Sequence, residues 1–140
     1  RRDDSIVIGE IAARPPGAQI LSLISFAHDT DFLARWANLV AAGQFAMPPR
    51  RYAAGVAFLR GQGPGAGGQG GRIVAVHGLE EAQRQIGHLV VDAKLPQVGQ
   101  FSNSSYEGEG FAIVRHPDTA VVEQALKVLV STIRVELAAP

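Results

Sequence analysis

The sequence predicts an α+β domain whose second half is a split βαβ unit of the ferredoxin-like kind, with extra strands and one helix from the first half on the same sheet. Three observations lead there. The 140 residues are 46% apolar and 19% charged, the size and composition of one globular domain; such a chain buries roughly 70% of the surface it exposes when unfolded. Apolar residues recur at a period of two in some segments and of three to four in others, so strands and helices alternate. One composition break, residues 61–71 with seven glycines in eleven positions, divides the chain. The roughly 60 residues before it make a marginal domain alone, so the expectation is a single domain over residues 1–140 with a flexible glycine-rich loop at 61–71.

The elements follow in order. Residues 5–13, rich in β-branched side chains, read as a strand ended by Pro15, Pro16 and Gly17. Residues 20–27 alternate apolar side chains with Ser22 and Ser25 and read as a second strand. Asp29 or Thr30 then caps a helix with Asp31 in its first turn, Phe32, Leu33, Trp36, Leu39 and Val40 on one face, and Gly43 closing it. Residues 51–60 return to a strand pattern. After the glycines come a strand at 72–77, a helix at 79–92, a candidate strand at 98–102, a polar turn at 103–110, and a strand at 111–114. A helix at 118–133, with Val122, Leu126, Leu129, Val130 and Ile133 aligned, and a strand at 134–137 finish the chain. From residue 72 the order is β-α-β-β-α-β.

Composition excludes several functions. Thirteen basic and thirteen acidic side chains give no net charge, which argues against a nucleic-acid or membrane-surface partner. The chain has no cysteine, so there is no disulfide scaffold, thiol nucleophile or thiolate-bound metal. Arg60 and Arg72 flank the glycine-rich stretch, but Arg does not repeat within it as RNA-binding segments require. No apolar run reaches the ~20 residues of a membrane span, and no leader opens the chain, so a cytoplasmic location is expected. The first residue is Arg and not Met, which reads as a processed, trimmed or excised form.

Two polar junctions stand out. At residues 28–31, His28, Asp29, Thr30 and Asp31 sit where a strand is expected to meet a helix; Asp29 and Asp31 alone fall short of a calcium shell. At residues 115–118, Arg115 and His116 precede the last helix, where amide donors, the helix dipole and cationic side chains favour a phosphate or carboxylate. If both junctions face one sheet edge, His28, Asp29, Arg115 and His116 form a ligand-binding cluster for a small anion. His77 and His88 lack metal-ligand spacing, no Gly-x-Ser-x-Gly elbow or phosphate loop is present, and Glu107 and Glu109 read as a solvated turn. No metal, no cofactor and no complete catalytic set is expected.

Two resemblances touch these residues. Val114-Arg115-His116 is similar to the opening of the histidine phosphatase motif, and Ala27-His28-Asp29-Thr30 to that family's later His-Asp element. The order is reversed, Pro117 replaces the family's Gly, and the chain is short for that fold, so no phosphatase is inferred. Over residues 72–138, the runs Val76-His77-Gly78-Leu79-Glu80-Glu81-Ala82, Phe111-Ala112-Ile113-Val114-Arg115 and Val122-Glu123-Gln124-Ala125-Leu126 resemble bacterial microcompartment shell domains. That resemblance implies self-assembly into sheets with residues 102–110 lining a pore, although the family's compact pore turn is missing. The functional expectation is a homo-oligomeric structural or ligand-binding module without catalytic chemistry. The alternative is a small-molecule enzyme whose site, at subunit boundaries, uses the His28/Asp29 and Arg115/His116 junctions.

Overall fold

The computed structural model describes residues 14–66 and 70–139; the strand expected at residues 5–13 lies outside them. Among the described residues two helices come first, α1 (Ile20–His28) and α2 (Phe32–Ala42), followed by strands β1 (Ala53–Leu59) and β2 (Gly61–Gln62). The rest runs β3 (Arg72–His77), α3 (Leu79–Ile86), a tight turn (Gly87–Leu89), β4 (Val90–Lys94), β5 (Gly110–His116), α4 (Thr119–Thr132) and β6 (Arg134–Ala138). The class is mixed α+β; from residue 72 the order is β-α-β-β-α-β, with the third element at Val90–Lys94 and not at the expected 98–102.

The strands form two three-stranded sheets, β1-β5-β4 and β2-β6-β3, instead of one. β1 runs antiparallel to β5 from Ala53 opposite His116 to Leu59 opposite Gly110. There β5 begins, so the chain beyond Leu59 has no partner on that sheet. Gly61 and Gln62 pair instead with Val135 and Glu136 of β6, in parallel. The opening of the glycine-rich stretch is thus a short strand joining the two sheets. β3 flanks β6 on its other side, antiparallel.

Three further elements differ from the sequence reading. Residues 20–27 are helix α1, because Ile20, Leu23, Ile24 and Ala27 recur at helical spacing despite their β-branched members. The helix from residue 79 stops at Ile86; Gly87 interrupts it and Val90 and Val91 open strand β4, as their branched side chains favour. The strand expected at 98–102 is a single bridge, Phe101 to Arg72. Its neighbours serve the edge of β3: the Gly99 N–H donates to the Ile73 carbonyl and the Ile73 N–H to the Gln100 carbonyl.

The core follows from strand alternation. Ala57, Ala112 and Val114 present one face of the first sheet to Ala82 and Ile86 of α3 and Val122, Ala125 and Leu129 of α4. Gly55 lets α4 approach β1: a Cβ there would lie 2.6 Å from Leu126 Cδ1. A smaller cluster of Leu59, Ile73, Val135 and Leu137 holds the second sheet, and Ile133 packs against both clusters. The other face of the first sheet is left to α1, which packs on β1 and β5. Helices α1 and α2 contribute no buried residue.

Candidate functional site

On the α1 face of the first sheet, β5 presents Phe111, Ile113 and Arg115 at a period of two. Arg115, near the end of β5, reaches the last turn of α1: its Nη1 donates to Asp29 Oδ1 at 2.8 Å and to the Phe26 carbonyl at 3.4 Å. Its guanidinium lies 4.2 Å from the centroid of the Tyr52 ring. One planar cation thus ties α1 to β5 and to the segment entering β1. The side chains of Arg115 and Asp29 are 25% and 48% exposed, so this is a partly hydrated pair and not a buried one.

The junction at 28–31 is a corner between two helices, not between a strand and a helix. Asp29 is the residue after α1, in the left-handed conformation at φ 53°, and its N–H donates to the Ser25 carbonyl; Asp is among the few residue types that tolerate this geometry. The cap of α2 is Asp31, whose Oδ1 accepts from the Ala34 N–H at 3.0 Å, while Ser25 Oγ accepts from the Phe32 N–H. The capping role expected of Asp29 or Thr30 therefore falls to Asp31. Gly43 closes α2 as expected, at φ 66°.

His28 Nδ1–H donates to the Pro48 carbonyl at 2.7 Å, holding the return of the chain from α2. His116 stays at its own junction, where its Nδ1 accepts from the Asp118 N–H at 3.0 Å; Asp118 caps α4 by accepting from the Ala120 N–H. The structure thus joins Asp29 and Arg115 directly, with His28 adjacent in sequence and His116 at the end of the same strand. An anion arriving at Arg115 has to compete with Asp29. Next to the pair, a shallow cleft of about 360 Å³ is lined by His28, Arg50, Tyr52 and Thr119 over Ile24 and Ala27.

At the other end of β5 the turn 103–110 is folded back on β1. Glu109 is 3% exposed; its Oε1 accepts from the Asn103 N–H and its Oε2 from the Gly61 N–H. This carboxylate, read from sequence as solvated, fixes the crossing between the two sheets. Spacing alone held no signal for that role. Among the described residues no group of three or more His, Asp or Glu side chains could hold a metal ion, and no helix is long and apolar enough to cross a membrane.

No family model matches the sequence, and no curated protein is similar to it at a significant level. Solved structures share its fold, and two of them are enzymes that join molecules by name. One is an L-amino acid ligase from Bacillus licheniformis, with a TM-score of 0.59 and 14% identity over 82% of this chain and 28% of that one. The other is a phosphoribosylglycinamide synthetase from Anaerococcus prevotii, with a TM-score of 0.53 and 12% identity over 84% of this chain and 30% of that one. The chain spans less than a third of either enzyme.

Proposed function

We propose that this chain is a small-molecule-handling module of a bond-joining enzyme, in a cytoplasmic setting; the alternative read from the sequence, a small-molecule enzyme with its site at subunit boundaries, shares with this only the handling of a small molecule. The observation that carries the reading is the likeness of more than four-fifths of the chain to parts of a ligase and of a synthetase. In this reading Arg115, Asp29 and Tyr52 hold α1 at a fixed angle to the sheet, and the cleft beside them meets the rest of the enzyme. The split βαβ relation belongs to the same reading: β3 with β6 and β4 with β5 are antiparallel, while β1 takes the place beside β5.

The test uses the protein that carries this chain at its natural length. Pairs of carboxylic acids and amines, L-amino acids first, are incubated with it and a nucleoside triphosphate, and products are sought by mass spectrometry. A joined product that weakens with Arg115→Ala supports the reading; its absence across the panel overturns it.

A second reading, association of copies, rests on a different observation. The apolar stripe of α2 and the residues after it stay open, with Leu33, Val40 and Phe45 53%, 66% and 48% exposed. Light scattering on the 140-residue chain tests it: a mass above 14.8 kDa that falls on Leu33→Ser and Val40→Ser supports self-association, and a monomer excludes it.

A further inference from the structure

We infer that a second cleft, at the start of β5, binds a small zwitterion of the α-amino acid class. It lies four residues along β5 from Arg115, roughly 13 Å at ~3.3 Å per residue. Gln19 at the head of α1, Lys94 at the end of β4, Phe111 of β5, and Gln100, Asn103 and Glu107 of the preceding loop line it.

Charge is the first argument. Lys94 and Glu107 both line the cleft, yet among the described residues neither enters an ion pair. Two opposite charges that share one cleft without meeting are complementary to a molecule carrying both signs, its carboxylate toward Lys94 and its ammonium toward Glu107. Glu109 lines the cleft as well, with its carboxylate already accepting from two backbone N–H groups; its charge adds to that of Glu107 and favours a ligand that keeps its ammonium. Gln19, Gln100 and Asn103 bring neutral amides around the same space.

Size is the second argument. The cleft holds about 190 Å³, roughly six waters' worth of liquid at ~30 Å³ each. That is below the ~300 Å³ where drug-sized pockets begin, which suits a molecule of a few heavy atoms. Phe111 provides an apolar surface for a short side chain. The choice of amino acids within the zwitterion class rests on the ligase reading above; the charge complementarity does not.

The experiment is an amide NMR titration of the 140-residue chain with L-alanine, and with propionate and ethylamine as its single-charge counterparts. Saturable shifts at Gln100, Asn103 and Phe111 are expected with L-alanine, and binding of either counterpart about tenfold weaker, because each lacks one charge-assisted contact. Lys94→Gln and Glu107→Gln each weaken L-alanine about tenfold, with the rest of the spectrum unchanged. The inference is overturned if glycine, L-alanine and L-serine give no saturable shift into the tens of millimolar. It is equally overturned if propionate binds as well as L-alanine, or if both variants bind as the parent does. Amino-acid binding without a joined product in the preceding assay leaves this site standing and removes the ligase reading; product without binding here does the reverse.

Discussion

Arg115 meets a carboxylate, a main-chain carbonyl and an aromatic face at once, and those contacts make different demands on a replacement. Arg115→Lys keeps the charge but loses the planar stack on Tyr52 and the forked donors. We expect it to cost about 1 kcal/mol, against about 2 for Arg115→Ala, in denaturant unfolding. Asp29 separates charge from backbone: Asn also tolerates the left-handed conformation, so Asp29→Asn should cost under about 1 kcal/mol, the worth of a half-exposed pair. Asp29→Ala adds strain of ~1–2 kcal/mol at φ 53°, and equal costs for the two variants would contradict this account. Glu109 is the more consequential carboxylate. Glu109→Ala strands two N–H groups and should cost about 3 kcal/mol, with Glu109→Gln intermediate because its amide can still accept one of them. The two polar junctions were legible as one possible ligand-binding cluster, but the direct pairing of Asp29 with Arg115 was not. The role of Glu109 was not, since a Glu between glycines looks the same whether it faces water or a buried crossing; Lys94 and Glu107 come to line one cleft only through tertiary folding.

At the scale of elements, apolar period and the local signals at Gly43 and Asp118 gave α2 and α4 within a residue or two, although the cap of α2 is Asp31 and not Asp29 or Thr30. Where local signals conflicted, the reading failed. Ile20, Leu23, Ile24 and Ala27 carry the helical stripe of α1, but Ile20 and Ile24 also favour strands and the segment is only nine residues long. In residues 79–92 the stripe ran past Gly87 into β4, since Leu89 and Val90 fit both periods. Gly78 shows what tertiary packing adds at such a boundary. It sits at φ 79°, and a Cβ there would lie 2.0 Å from the Thr132 carbonyl oxygen at the end of α4. Gly78→Ala is therefore expected to cost at least about 2 kcal/mol. A smaller loss in thermal unfolding would mean that the close approach of β3–α3 to α4 relaxes easily. Leu129, 2% exposed between the sheet and α3, should cost ~2–5 kcal/mol on replacement by Ala.

For the whole molecule, the mixed α+β class was legible, while the order of elements was read only in part and strand pairing not at all. The number of sheets depends on where β1 loses its partner, and that is set by β5 beginning at Gly110, far downstream of Leu59 in the chain and opposite it in space. The resulting scaffold places the Arg115–Asp29 pair and the Lys94–Glu107 cleft on one face, both against α1. That shared face is why α1, rather than the larger α4, is the element expected to respond to a ligand. Among the described residues the apolar stripe of α2 stays exposed, which is what the proposed contact with further polypeptide needs.

The most direct test of the bond-joining reading is the mass-spectrometric search for a condensed product made by the natural-length protein from L-amino acids, a nucleoside triphosphate and an amine acceptor. The account predicts a species with the summed mass of the two reactants less one water, diminished by Arg115→Ala. Unchanged reactants across the panel, with the protein folded and the triphosphate present, would contradict it.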